Sequence, residues 1–179
     1  MRVTETKLKG CFVIEPTIFG DDRGYFFECF NKEKFKSLTG IDLEFVQDNE
    51  AFSNRGVLRG LHFQKDEFAQ AKLVRVVKGK VLDVAVDLRS SSTTYGQTFS
   101  CILSEENKKQ LFVPRGFAHG YAVLEDNTIF TYKCDNFYNP NAEGGIIYND
   151  PNLGIDWMLE QQEIQLSKKD KLLKTMPDL

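Results

Sequence analysis

The segment from Gly56 to Lys72, GVLRGLHFQKDEFAQAK, gathers an arginine, a histidine and a lysine, Arg59, His62 and Lys72, among apolar residues. An imidazole titrates close to neutral pH, so a histidine in a concave site is a natural general base. Arg59 and Lys72 are poor core residues, because burying an unpaired cation is costly. If they face inward with His62 they call for carboxylates or a bound anion, and a phosphate would serve. The other histidine, His119, lies in the run RGFAHGY. Tyr132, in FTYKCDNFY, reads either as a core aromatic or as a phenol that donates a proton opposite a histidine base. Asp170 closes the pattern Ser167-x-x-Asp170, which on its own predicts a capping box at the start of a helix. A mononuclear metal site needs three or four ligands, and no His-x-His or comparable cluster supplies them, so no metal is expected.

These residues must be held by strands. Residues 11–19 and 25–30 read as strands around the turn-rich GDDRG. Asn31 then caps a short helix, KEKFKSLTG, with Phe35 and Leu38 on its apolar side and Gly40 as its stop. LEFVQDNEAFS, residues 43–53, reads as a strand with Gln47 and Asn49 on one face. LVRVVKGKVLDVAVDLR reads as a strand pair turning at Lys78-Gly79-Lys80. In its second half Leu82, Val84, Val86 and Leu88 alternate with Val81, Asp83, Ala85 and Asp87. Thr98 to Leu103, QLFVP, YAVLED and TIFTYKCDNFY add further strands. His119 falls in a loop at a strand end, YAVLED and TIFTYKCDNFY join through Asp126-Asn127, and a last helix opens near Ser167. Many short strands and few helices predict a mainly β sandwich or barrel.

The 179 residues carry 23 Lys and Arg against 26 Asp and Glu, a net charge of −3, which argues against a broad basic surface for nucleic acid. No apolar stretch approaches the roughly 20 residues of a membrane span. The four cysteines form no CxxC pair, and MRVTETKLKG does not resemble a signal peptide, so reduced thiols in a cytoplasmic protein are expected. No composition shift divides the chain, which predicts a single domain over 1–179.

Seven segments in order, GDDRGYFFE, FVQDN, GVLRGLHFQ, AQAKLVRVVKGKVLDVAVDLR, ENKKQLFVPRGFAHGY, YNDPNLGIDW and LSKKD, resemble the dTDP-4-dehydrorhamnose 3,5-epimerase family, nucleotide-sugar epimerases of the cupin fold. The resemblance implies a cupin-type jelly roll with a few short helices, a homodimer, no metal and no organic cofactor. It implies epimerisation of dTDP-4-keto-6-deoxy-D-glucose at carbons 3 and 5. By the same resemblance His62 is the base, Tyr132 the acid on the opposite face, Lys72 the cation at the ketone oxygen and Asp170 the partner of His62, with Asp83 as an alternative partner. Arg23, Arg59 and Lys168 match contacts to the diphosphate or its surroundings. Glu28, Gln47 and Asn49 match polar contacts, Phe26 and Tyr138 match aromatics lining the pocket, and His119 matches a position near it. Arg23 and Phe26 would come from the partner subunit. Relatives that epimerise only carbon 3, or use another nucleotide sugar, stand beside this reading, as do a non-catalytic sugar-nucleotide-binding cupin and a metal-dependent cupin oxygenase.

Overall fold

The computed structural model describes residues 1–176, so the last three residues of the expected 1–179 domain lie outside the described residues. Its strands are β1 (Arg2–Glu5), β2 (Phe12–Glu15), β3 (Phe19–Asp21), β4 (Gly24–Phe26), β5 (Gln47–Ser53), β6 (Leu58–Gln64) and β7 (Lys72–Lys78). They continue with β8 (Lys80–Asp87), β9 (Thr98–Ser104), β10 (Gln110–Val113), β11 (Phe117–Val123), β12 (Thr128–Cys134) and β13 (Glu143–Gly145). One α-helix, α1 (Lys32–Thr39), lies between β4 and β5. A six-stranded sheet in the order β1-β2-β10-β7-β12-β5 faces a five-stranded sheet in the order β13-β6-β11-β8-β9, while β3 and β4 form a separate hairpin. All the ladders are antiparallel. This is the expected cupin-type jelly roll.

The turn at Gly79 differs from expectation in an informative way. The two strands it joins are not a hairpin: β7 pairs with β10 and β12, whereas β8 pairs with β11 and β9. The chain therefore passes from one sheet to the other, and Gly79 takes φ +80 to make the corner. The Asp126-Asn127 connection crosses between the sheets in the same way, from β11 to β12. Both faces of β8 are consequently buried. Val81 and Ala85 join the interior cluster with Val74, Tyr121 and Phe130. Leu82, Val84 and Val86 face a second cluster completed by Ile146, Tyr148, Leu153 and Trp157 of the C-terminal segment.

Asn31 caps α1 by accepting from the Lys34 amide at 3.0 Å, and Gly40 ends it at φ 73, as expected. Only Phe35 packs, against Phe12 and Phe112, while Leu38 is half exposed. Other elements depart from the sequence reading: the strand expected over 11–19 covers only β2 and the start of β3, and that over 43–53 begins at Gln47. The expected strand over 25–30 stops at Phe26. His119 lies within β11, not in a loop, because both neighbours of β11 pair with it there. The expected C-terminal helix is a single 3₁₀ turn, Asp170–Leu172. Ser167 Oγ does accept from the Asp170 amide at 3.0 Å, but the following residues run extended, with the Ile147 amide donating to Lys174 O at 2.8 Å. The four cysteines are unpaired. Among the described residues no helix is long and apolar enough to cross a membrane.

Candidate active site

His62 sits on β6 between Gly145 of β13 and His119 of β11. Glycines set the spacing next to it: a Cβ added to Gly60, at φ +114, would come within 2.7 Å of Gly120 Cα and His119 O, so β6 and β11 approach more closely than side chains would allow. His62 Nε2 lies 2.6 Å from Asp170 Oδ1, and the Asp170 side chain is only 4% exposed. A carboxylate only accepts, so Nε2 carries the proton and the neutral ring keeps its lone pair on Nδ1. Burial works against the Asp170 charge. The hydrogen bond and charge of His62, with Ser167, outweigh it and hold the carboxyl below the usual range.

Across the interior, the six-stranded sheet supplies Lys72 from β7 and Tyr132 from β12, with Lys72 Nζ 5.8 Å from the centre of the Tyr132 ring. Burial, reinforced by Cys134 and opposed by Arg59, pushes the Tyr132 phenol up, so it stays protonated through the neutral range. Burial pushes the Lys72 ammonium down, against weaker attraction from Cys134, Asp83 and Glu143. On β5, Gln47 and Asn49 share the face read from the sequence, with Gln47 Nε2 donating to Asn49 Oδ1 at 3.1 Å. Asn49 pairs in register with Tyr132.

These residues line one cleft with two lobes. One lobe, of about 310 Å³, includes Gln47, Gln64, Tyr138 and Glu143; the other, of about 360 Å³, includes Arg59, His119, Tyr121 and Asp170. Asn49, His62, Lys72 and Tyr132 belong to both and mark the junction. Arg59 is steadied by donating to Ser53 Oγ at 3.2 Å. A base on one sheet, a phenol on the other and a cation near both can remove a proton from one face of an activated carbon and return one to the opposite face.

Asp83 corrects one expectation. It does not partner His62; both its oxygens lie 3.0 Å from His119 Nε2. Two residues that sequence reasoning missed tie the rim together. The Tyr138 hydroxyl donates to Glu143 Oε2 at 2.7 Å, and Lys169 forms an ion pair with Glu143 Oε1. Burial raises the Glu143 carboxyl, but Lys169 and Tyr138 together pull it below its usual range. The Lys168-Lys169 doublet was visible, yet only the path of the chain shows that Lys169 lines the cleft and Lys168 does not, although both are exposed. Nothing local in NAEGG marked Glu143.

Besides Lys168, three expected residues stand elsewhere within the protomer. Arg23, on the exposed β3–β4 hairpin, pairs with Asp21 at 2.5 Å. Phe26, at the end of that hairpin, is 70% exposed. Glu28 accepts from Lys34 at 2.8 Å and Asn31 at 3.2 Å. Among the described residues no three His, Cys, Asp or Glu side chains converge as a metal-binding group.

The model of the family described as dTDP-4-dehydrorhamnose 3,5-epimerase matches residues 5–178. The chain belongs to that epimerase family. The epimerase of Methanothermobacter thermautotrophicus is 48% identical over 98% of this chain and 94% of its own. The crystal structure of the epimerase from Elizabethkingia anophelis is 52% identical and superposes with a TM-score of 0.96, covering 99% of this chain and 97% of that one. The Legionella pneumophila 3,5-epimerase, solved in complex with dTDP-4-keto-L-rhamnose, is 48% identical with a TM-score of 0.94, over 98% and 93% of the two chains.

Proposed function

We propose that the protein is an isomerase that converts dTDP-4-keto-6-deoxy-D-glucose to dTDP-4-keto-L-rhamnose by inverting carbons 3 and 5. The observation that carries this reading is the His62–Asp170 pair at 2.6 Å set across the cleft from Tyr132, with Lys72 beside the phenol, in a chain of this family. Hydrogens next to a ketone are acidic because the electron pair left behind moves onto the ketone oxygen. His62 Nδ1 takes the proton, the C–H electrons form the enolate, and the Lys72 ammonium stabilises its oxygen. Tyr132 then gives its hydroxyl proton to the opposite face of the same carbon. The protonated imidazole and the phenolate return to their starting forms through solvent, so no redox partner is required. Asp170 supports the imidazolium while it exists.

Within this reading Arg59 and Lys168 serve the diphosphate, Gln47 and Asn49 the sugar, Tyr138 the thymine, and His119 lines the lobe it shares with Arg59 and Asp170. The exposed β3–β4 hairpin suits a homodimer in which Arg23 and Phe26 complete the partner's cleft; Glu28 would lie at its base. The enzyme works as one domain in the cytoplasm.

The test is turnover of dTDP-4-keto-6-deoxyglucose in deuterium oxide, followed by NMR, with wild-type protein and His62→Ala. Deuterium is expected at carbons 3 and 5 with formation of the rhamno product, and at neither carbon in the variant. Exchange at carbon 3 alone would make the protein a 3-epimerase. Near-normal exchange by His62→Ala would remove His62 as the base.

A further inference from the structure

The cleft contains a second histidine–carboxylate pair. Asp83 is completely buried on the inner face of β8, between Val81 and Ala85 of the apolar interior. The polar group it meets is His119 Nε2, 3.0 Å from each oxygen. A buried carboxylate is expensive, and an apolar residue of similar size commonly stabilises such a site more, so packing alone gives no reason for an aspartate here. The His119 ring is also held in orientation, nearly parallel to Phe130 at 6.3 Å between centres, while Phe130 stacks on Tyr121 at 4.0 Å.

The other ring nitrogen of His119 is the informative one. Among the described residues Nδ1 has no hydrogen-bond partner, yet no side-chain nitrogen or oxygen there is both sealed and unpartnered. His119 Nδ1 is therefore open to the cleft, on the residue that pairs in register with His62. Because Asp83 can only accept, it fixes the proton on Nε2 and settles which way the free nitrogen points.

Resting on the epimerase reading, we propose that Asp83 is a positioning residue: it locks His119 so that Nδ1 meets an oxygen of the pyranose ring or its substituents beside the carbon that His62 deprotonates. The sugar, not the nucleotide, is the group recognised.

The experiment combines kinetics and imidazole ¹⁵N NMR on the full chain, using wild type, Asp83→Asn, His119→Gln and the double variant. In wild type the His119 signals should show an Nε2-protonated ring. The Nδ1 signal should move on adding dTDP-rhamnose and stay in place on adding dTDP, which has no sugar. Asp83→Asn should lower kcat/KM by roughly 10- to 100-fold, the range of a lost charge-assisted hydrogen bond. The double variant should be no worse than His119→Gln, because Asp83 acts through that ring. The proposal is overturned if Asp83→Asn keeps kcat/KM within twofold, if the two losses multiply, or if Nδ1 responds equally to dTDP and dTDP-rhamnose. Should Asp83→Asn fail to fold, the wild-type NMR comparison still decides. Absence of wild-type turnover would instead count against the substrate assignment.

Discussion

Replacing Asp170 with Asn removes one charge from the dyad with little change of shape. The backbone anchor is unaffected, since Ser167 Oγ accepts from the amide of residue 170, not from its side chain. The amide then has two choices. If its oxygen faces His62 Nε2, the tautomer survives and only the charge is lost. At the buried Asp170 the hydrogen bond belongs to the upper part of the range for charged groups, about 2–3 kcal/mol, against about 1 for a neutral one, a difference of about 1–2 kcal/mol. At 1.36 kcal/mol per tenfold, this slows deprotonation by about 5- to 30-fold. If the NH₂ faces Nε2, the ring proton moves to Nδ1, the base is masked, and the loss approaches that of His62→Ala. The expected result is a fall in deuterium incorporation of at least about fivefold, with KM nearly unchanged because Asp170 works through His62. Exchange within twofold of wild type would refute the reasoning. Stability supplies a second check. The folded Asp170 carboxyl lies below its ordinary value of about 3.9. Its contribution is therefore complete above the unfolded value and lost as pH falls through the depressed folded one. Urea unfolding should show wild type gaining over Asp170→Asn at neutral pH, with the gap closing in acid.

Lys72→Met should show the opposite trade. The ammonium lies in the cleft with burial disfavouring its charge, so its removal should raise Tm or leave it unchanged while turnover falls by about 10²–10³-fold, the loss typical of one oxyanion donor. A lower Tm with turnover retained would contradict the placement. Tyr132→Phe should let deuterium exchange back into the starting sugar while product formation fails, measured by NMR of both pools; an unchanged epimer ratio would exclude the phenol as the acid. Gly79→Ala should destabilise the fold by about 1 kcal/mol or more, because the residue takes φ +80 and its added Cβ meets Thr128 at the corner between sheets. Denaturant unfolding would detect this, and wild-type stability would mean that the corner relaxes freely.

The sequence carried most of the fold, whose signals are local, whereas the roles proposed for His62, Tyr132, Lys72 and Asp170 come through the family resemblance. Asn31 and Gly40 bound α1 through their own side chain and φ, and Gln47 and Asn49 fall on one face through the two-residue period of a strand. What it did not carry depends on sheet order, which no local pattern encodes. Reading β7 and β8 as a hairpin leaves Asp83 free to approach either histidine. The real order, β13-β6-β11-β8, puts β11 between β8 and β6, so Asp83 meets His119 and His62 is one strand too far. His62 must then take its carboxylate from outside that order, and the segment that bridges Val57 to Gln165 brings Asp170 there. The capping box misled for the same reason: its serine half formed, but its aspartate side chain was drawn away to a ring 108 residues earlier in the chain. Two aspartates and two histidines thus sort into two separate pairs, although the histidines are register partners on adjacent strands. The order of four strands makes that division.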